Sequence, residues 1–209
     1  MKTLEQEVLK KIAKKSLFVK LVNTERNKSL VEQSISKEFL DLSAVVRVVL
    51  KMDKEGMASM ALSKGDAEIL GMTEEEIYAA ALKNTLRLFP PKLMNLEGYV
   101  EMSIGAKLLF VEDEVTTYIL TNQKEVDGAF YLMSQELVGA IAEMLEDDLY
   151  ILPSSVNEVL LVRASEVKDG VDGLKAMVRD VNETIVAEKE ILSYSVYHYD
   201  KEHGITIVA

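Results

Sequence analysis

Polar side chains gather in one segment of the chain, residues 149–159, whose sequence is LYILPSSVNEV. Two short apolar runs, which we interpret as strands, lie on either side of a corner at Pro153. Proline fixes its own φ and has no N–H to donate, so Pro153 must turn the chain or lie on a strand edge. Loops held by rigid strands often carry binding residues. The candidate binding residues at this corner are Ser154, Ser155, Asn157 and Glu158.

The polar residues of the corner have two interpretations. Serine and asparagine can close a turn by bonding to nearby backbone, or they can present hydroxyl and amide groups to a ligand. Serine catalysis would also need a histidine base. The chain has only His198 and His203, and nothing in the sequence brings either to the corner. We therefore predict no catalytic residue.

Three more polar residues join the candidate binding set. Asn84 and Thr85 lie within a predicted amphipathic helix, where such side chains compete with backbone hydrogen bonds. They are expected to have side-chain partners, either in a buried structural network or on a ligand. Asn122 follows the predicted strand Val115–Thr121.

Metal and phosphate chemistry have weak support in the sequence. The segment 198–203, HYDKEH, has two histidines and two carboxylates, which are zinc-ligand types. These residues surround a predicted hairpin turn and are not forced to converge. The acidic run 146–148 follows a predicted helix, at an end where cations are normally preferred. It indicates either a solvated helix end or a site for a cation or a basic partner. No phosphate-binding or nucleophile-elbow motif occurs. We predict neither a metal nor a cofactor.

Composition limits the compartment and the partners. The 209-residue chain has a formal charge of −11, which disfavours nucleic acid, and it has no apolar run long enough to span a membrane. It contains no cysteine, which excludes disulfides and fits a reducing interior. We predict a cytoplasmic protein that binds neither nucleic acid nor membrane, with a protein as its expected partner. The oligomeric state stays open. The ten methionines are interpreted as packing residues of apolar stripes.

Hydrophobic patterns predict the fold class. Apolar runs flank Asp53-Lys54-Glu55-Gly56, which suits a type I turn and predicts a β-hairpin. After residue 115 the predicted order is strand, strand, helix, repeated once and followed by a final strand pair, with Gly128–Met133 as a strand. Short connections favour antiparallel pairing. We predict an α+β fold with mainly antiparallel sheets and helices packed on one face.

Three finer expectations accompany this fold. The chain divides into α+β subdomains at 1–98 and 99–209, or forms one continuous domain. The region from Lys92 begins with a short helix near Leu93 and continues as a linker. A helix capped by Asp172 packs its apolar stripe on the sheet. That stripe comprises Leu174, Met177, Val178, Val181 and Ile185.

Several phrases recur together in a known family. They are Leu82-Lys-Asn84-Thr85, Tyr118-Ile-Leu-Thr121-Asn122, Gly128-Ala129, Leu149-Tyr-Ile-Leu-Pro153-Ser-Ser155 with Glu158-Val159, and Met177-Val-Arg179-Asp-Val-Asn182 with Thr184. From Phe18 onward the chain resembles an uncharacterised domain-of-unknown-function family from gut-dwelling anaerobic bacteria of the Firmicutes type. The resemblance implies a shared fold and supplies no activity, cofactor or substrate.

Two functions remain open at this point. The leading hypothesis is a non-enzymatic binding or protein-interaction module, because no convergent catalytic set can be assembled. The alternative is a hydrolase, dependent on a metal or on acid-base chemistry, that uses carboxylates near Glu158.

Overall fold

The computed structural model describes residues 14–54, 56–99, 115–153, 155–168 and 170–208. Ser154 lies outside these residues. The chain divides into two compact units, Met1–Pro90 and Pro91–Ala209. The boundary at residues 98 and 99 suggested by the sequence stays a prediction, because it adjoins the undescribed segment 100–114.

The first unit is built on an antiparallel sheet with β3 at its centre. Strand β3 pairs with β1 on one side and with β2 and β4 on the other. The predicted hairpin is confirmed, since Asp53 N–H donates to Gly56 O (3.0 Å) between β3 and β4. The elements of this unit are β1 (Leu17–Asn23), α1 (Lys28–Gln33), β2 (Ser36–Phe39), β3 (Leu42–Met52), β4 (Met57–Ala61), α2 (Asp66–Leu70) and α3 (Glu74–Leu88).

Helix α3 protects the outer edge of β1. The helix begins with a capping box, in which Thr73 Oγ1 accepts from Glu76 N–H and Glu76 Oε2 accepts from Thr73 N–H. Near its end, buried Thr85 accepts the Val19 N–H of β1 (2.9 Å) and donates to Ala81 O (2.8 Å). An exposed strand edge is a template for unwanted pairing, and a covering helix removes that hazard.

Removing the Thr85 hydroxyl should destabilise the first unit. In Thr85→Val the shape is kept but the buried Val19 N–H loses its acceptor, which costs roughly 1–3 kcal/mol. Thr184→Val is the matched control, because Thr184 makes the same bond to the fourth preceding carbonyl (Asp180 O, 2.7 Å) at an exposed site. Urea unfolding measures both variants. Equal losses would show that the Thr85–Val19 bond contributes nothing.

The second unit contains a six-stranded antiparallel sheet in the order β10-β9-β7-β8-β6-β5. Its elements are β5 (Pro91–Asn95), β6 (Thr117–Asn122), α4 (Gln135–Leu145), β7 (Leu149–Leu152), β8 (Val159–Arg163), α5 (Gly170–Thr184), β9 (Val196–Asp200) and β10 (Gly204–Val208), with 3₁₀ helices at Gly128–Met133, Ala164–Glu166 and Glu188–Glu190. The predicted α+β class with antiparallel sheets is confirmed.

The two long helices of this unit contact different residues of β9. Helix α5 packs on Val196 of β9, within a buried cluster. Helix α4 lies against Tyr199, whose hydroxyl approaches Gly139. Because neighbouring residues of a strand point to opposite faces, α4 and α5 cover opposite faces of the sheet. The expectation of helices on one face is refined accordingly.

Two predicted elements are wrong. Gly128–Met133 is a 3₁₀ helix in which residues 128–132 are all buried, not a strand. A short, continuously apolar run does not distinguish a strand from a buried helical turn, so periodicity could not decide. Pro91–Asn95 is a strand paired with β6, where the sequence suggested a helix near Leu93. Pro91 is tolerated there because it opens an edge strand.

The inward face of α5 also differs from its predicted stripe. Leu174 and Val178 are buried as expected, but Met177 and Ile185 are exposed. The third buried residue is Asn182, whose Nδ2 donates to Ser193 O (2.8 Å). A pattern that counts only apolar residues misses a buried amide. The predicted stripe therefore included residues that face solvent.

Candidate functional site

The Pro153 corner connects β7 to β8 and is held by its own side chains. Ser155 is buried, and its hydroxyl donates to Glu158 Oε1 (2.6 Å). The same oxygen of Ser155 accepts the Asn157 N–H (3.0 Å). These two bonds close the corner locally, as the turn interpretation of the sequence expected.

Asn157 also ties the corner to the loop that follows β6. Its Oδ1 accepts the Asp127 N–H (3.1 Å), and its backbone oxygen accepts the Gly128 N–H (3.0 Å). The same backbone oxygen accepts the Thr121 hydroxyl (2.7 Å). Asn157 is therefore a junction between two loops that lie far apart in sequence.

Asn122 closes the loop on the other side of this junction. It is 1% exposed, its Nδ2 donates to Val126 O (2.6 Å), and its Oδ1 accepts the Lys124 N–H (2.8 Å). The structure thus brings Asn122, Ser155, Asn157 and Glu158 into two loops joined by hydrogen bonds. Their predicted role in binding a ligand stays a prediction.

The other two candidate residues belong to the first unit. Asn84 Nδ2 donates to Lys14 O, and Thr85 bonds Val19 and Ala81. Arg87 donates to Lys15 O (2.6 Å) beside them. Thr85 is thus buried and bonded within the fold, whereas the Asn84 contact is exposed. A role of either residue in ligand binding stays a prediction.

Glu158 is the one carboxylate of the corner with a perturbed environment. Burial raises the pKa of Glu158 above its ordinary value of 4.5, the hydrogen bond from Ser155 lowers it, and the negative charges of Glu190 and Glu125 raise it further. Lys92 Nζ lies 2.9 Å from Glu125 Oε1 and partly offsets that charge. The raised pKa means that, relative to water, the folded chain stabilises ionised Glu158 less than neutral Glu158.

Neutralising Glu158 should therefore change how stability depends on pH. A folded-state pKa above the unfolded value adds stability that is complete below pH 4.5 and is lost as pH rises through the folded pKa. Glu158→Gln keeps an acceptor for Ser155 and removes the charge, so its stability relative to the natural chain should be greater at about pH 7 than at about pH 4. Glu183→Gln, an exposed carboxylate of α5, is the control. Stability is measured by urea unfolding. The same stability difference between Glu158→Gln and the natural chain at both pH values would contradict this prediction.

The two histidines converge more than the sequence suggested. His203 Nδ1 lies 3.0 Å and His198 Nδ1 3.6 Å from the carboxylate of Asp200. That carboxylate also accepts the Glu202 and His203 N–H groups, and the backbone bond from His203 is the main cause of the lowered pKa of Asp200. Asp200 therefore closes the β9–β10 turn. Within the described residues, no group of three histidines and carboxylates is placed to hold a metal ion.

The acidic run after α4 has a local partner. The carboxylate of Asp147 accepts both the N–H and the hydroxyl of Ser165. The Ser165 hydroxyl bond is the main cause of the lowered pKa of Asp147. A contact within the chain thus stabilises this charge at the helix end.

An exposed apolar arm is the feature that sequence reasoning missed. The pairing of β1 with β3 ends at Val48, and among the described residues the rest of β3 pairs only with β4. We call this two-stranded ribbon (residues 48–54 and 56–60) the arm. Leu50 is 64% exposed, Met60 51% and Met52 37%. The sequence signal was an apolar run, residues 42–52, in which apolar and polar residues do not alternate. This run is longer than the run Phe18–Val22 with which it pairs.

Comparison with known proteins gives a family and no relative of known activity. No curated protein and no solved structure matches the chain. In the part of the chain that the structure describes, no helix has the length and apolar character needed to cross a membrane. A family model described as a family of unknown function matches residues 4–201, nearly the full length. The chain therefore belongs to this family, DUF5688.

Proposed function

We propose that the chain is a non-enzymatic binding module that contacts a protein partner through the arm. The observation that carries the proposal is the exposure of Leu50, Met52 and Met60 on a ribbon of two strands. The strand register puts Met52 and Met60 on opposite faces of the ribbon, so apolar surface is exposed on both faces, and exposed apolar surface often marks an interaction site. A two-stranded ribbon alone is only marginally stable in water, so contact with a partner would stabilise it.

The chemistry of the arm fits a protein partner. Methionine is flexible and polarisable, and it is used on surfaces that adapt to other chains. Met52 and Met57 lie directly opposite each other across the two strands, and Met60 lies opposite Val48. The Lys51 ammonium is paired with the Asp53 carboxylate (2.6 Å). The arm therefore offers apolar contacts beside a local ion pair.

The contacts of the Pro153 corner favour a module over an enzyme. The Ser155 hydroxyl and the Asn157 amide oxygen are both engaged in bonds that hold loops together. A serine nucleophile needs a neighbouring base, and the histidines of this chain lie at the β9–β10 turn. We also propose the cytoplasm as its compartment, because a chain without cysteine fits a reducing interior, and an anaerobic gut bacterium as its source, as the family resemblance implies.

A hydrolase using Glu158 is the second candidate function. The observation in its favour is the raised pKa of this half-buried carboxylate, since catalytic acids and bases are tuned by burial and neighbouring charge. A thermal-shift screen with divalent metals tests it. A metal-specific stabilisation that Glu158→Ala abolishes would favour the hydrolase, and the lack of any such shift would exclude a metal-dependent one.

The arm proposal makes a specific prediction for partner capture. Leu50→Ser/Met60→Ser should leave folding stability within about 0.5 kcal/mol of the natural chain, because both sites are exposed. The same variant should lose the partner that the natural chain retains in quantitative affinity capture. Ile185→Ser is the matched control, an apolar side chain that is 77% exposed on the second unit. Equal capture by the natural chain and the arm variant would refute the arm as the contact surface.

A further inference from the structure

Sulfur chemistry in this protein is confined to thioethers. The chain has no cysteine and ten methionines, so methionine is its only oxidisable sulfur residue. Three methionines lie on the arm within nine residues of sequence: Met52, Met57 and Met60. The arm therefore carries three of the ten methionines of the chain on one short ribbon.

The three methionines of the arm are exposed to solvent or partly exposed. Met60 is 51% and Met52 37% exposed, and Met57 is partly exposed beside its cross-strand neighbour Met52. Met72, by contrast, is 7% exposed in the same unit. Access to an oxidant follows exposure, so these side chains differ sharply in susceptibility.

We propose that Met52, Met57 and Met60 form a modification site for peroxides, and that their oxidation weakens the apolar contacts of the arm. The second half of this statement rests on the proposed function. In each event the thioether sulfur attacks one peroxide oxygen, the O–O bond breaks and an S–O bond forms. The attacked oxygen gives its proton to the leaving oxygen, so hydrogen peroxide leaves as water and an organic hydroperoxide as an alcohol. The sulfur is oxidised by two electrons to the sulfoxide, and the peroxide is reduced by two electrons.

Oxidation changes the physical character of the arm. A sulfoxide is polar, so the modified side chain no longer offers an apolar surface to a partner. Two sulfoxides at Met52 and Met57 would place two dipoles directly opposite each other in the ribbon. Methionine sulfoxide reductases reverse the reaction, so the change is a switch rather than permanent damage.

Site-resolved oxidation tests the modification site. The full chain is treated with limiting hydrogen peroxide, and each methionine is followed by peptide mass spectrometry through its gain of one oxygen atom. We expect the arm methionines to be oxidised several-fold faster than Met72. The exposed and isolated Met144 (61%) and Met177 (52%) report that the peroxide is active. Arm methionines oxidised no faster than Met72 would overturn the proposal.

A second measurement tests the effect on the apolar surface without needing the partner. Binding of a fluorescent apolar dye is compared before and after peroxide in the natural chain and in Met52→Leu/Met57→Leu/Met60→Leu, which keeps apolar volume but cannot be oxidised. We expect dye binding to fall in the natural chain, to persist in this variant, and to recover on treatment with sulfoxide reductases. Met144→Leu/Met177→Leu should behave as the natural chain does. Equal losses in the natural chain and the arm variant would overturn the proposal.

The outcomes separate this inference from the proposed function. If the arm methionines are oxidised faster than Met72 but Leu50→Ser/Met60→Ser still captures the partner fully, the proposed function fails and the modification site stands. If partner capture depends on the arm but its methionines resist peroxide, the modification site fails alone.

Discussion

Replacing Gly128 by alanine is expected to destabilise the second unit by about 3 kcal/mol, through overpacking at a site that cannot relax. A Cβ at this position would collide with the backbone oxygen of Asn157 and the hydroxyl of Thr121, and it would lie 3.0 Å from Thr121 Cα. Two of these atoms are backbone, so no side-chain rotation relieves the collision. The substitution would also strain the Gly128 N–H bond to Asn157 O (3.0 Å).

Gly98→Ala is the control for this experiment, because a Cβ at Gly98 would meet no atom within 4 Å. Gly98 lies in a helical segment, where alanine is favoured over glycine, so the stability of this variant should not fall. Both variants are measured by urea unfolding followed by circular dichroism. A loss below about 1 kcal/mol for Gly128→Ala would mean that the two loops are not packed as described.

Truncating Leu174 has the second large expected effect, a loss of about 3 kcal/mol in Leu174→Ala. Leu174 is 6% exposed and belongs to a buried cluster under α5, so its removal costs transfer free energy and leaves a cavity. The other buried members of that cluster are Leu152, Val162, Val178 and Val196.

Ile185→Ala separates burial from apolar character within the predicted stripe. Ile185 directly follows the last residue of α5 and is 77% exposed, so its truncation should cost less than about 0.5 kcal/mol. The sequence had placed Leu174 and Ile185 on one inward stripe, which predicts similar losses. If calorimetry gave similar losses of stability for Leu174→Ala and Ile185→Ala, the predicted stripe would be correct and the orientation described for α5 would be wrong.

Local patterns in the sequence were sufficient for the fold class. The capping box of Thr73 and Glu76 and the turn at Asp53 depend on residues within four positions of one another. Such signals are read directly from the chain. The strand predicted at Gly128–Met133 was wrong. Gly128 packs closely on Asn157 and Thr121, and contacts with residues so distant in sequence are not visible in a local pattern.

The candidate site shows the same limit. The sequence identified the Pro153 corner and its polar residues, and the bond between Ser155 and Glu158 spans only three positions. The bond between Asn157 and Asp127 spans thirty positions, so no local pattern could predict it. The exposure of Leu50 and Met60 depends on where β1 ends beside β3, and this feature of the tertiary structure is not visible in a local pattern.

Photo-crosslinking in living cells tests the arm as a contact surface most directly. A photoreactive amino acid is placed at position 60 on the arm or at position 185 on the second unit, both exposed apolar sites. After irradiation, we expect position 60 to form a discrete crosslinked product with a partner protein and position 185 to form none. Crosslinks of equal yield and pattern from both positions, or no product from position 60, would contradict the proposal that the arm binds a partner.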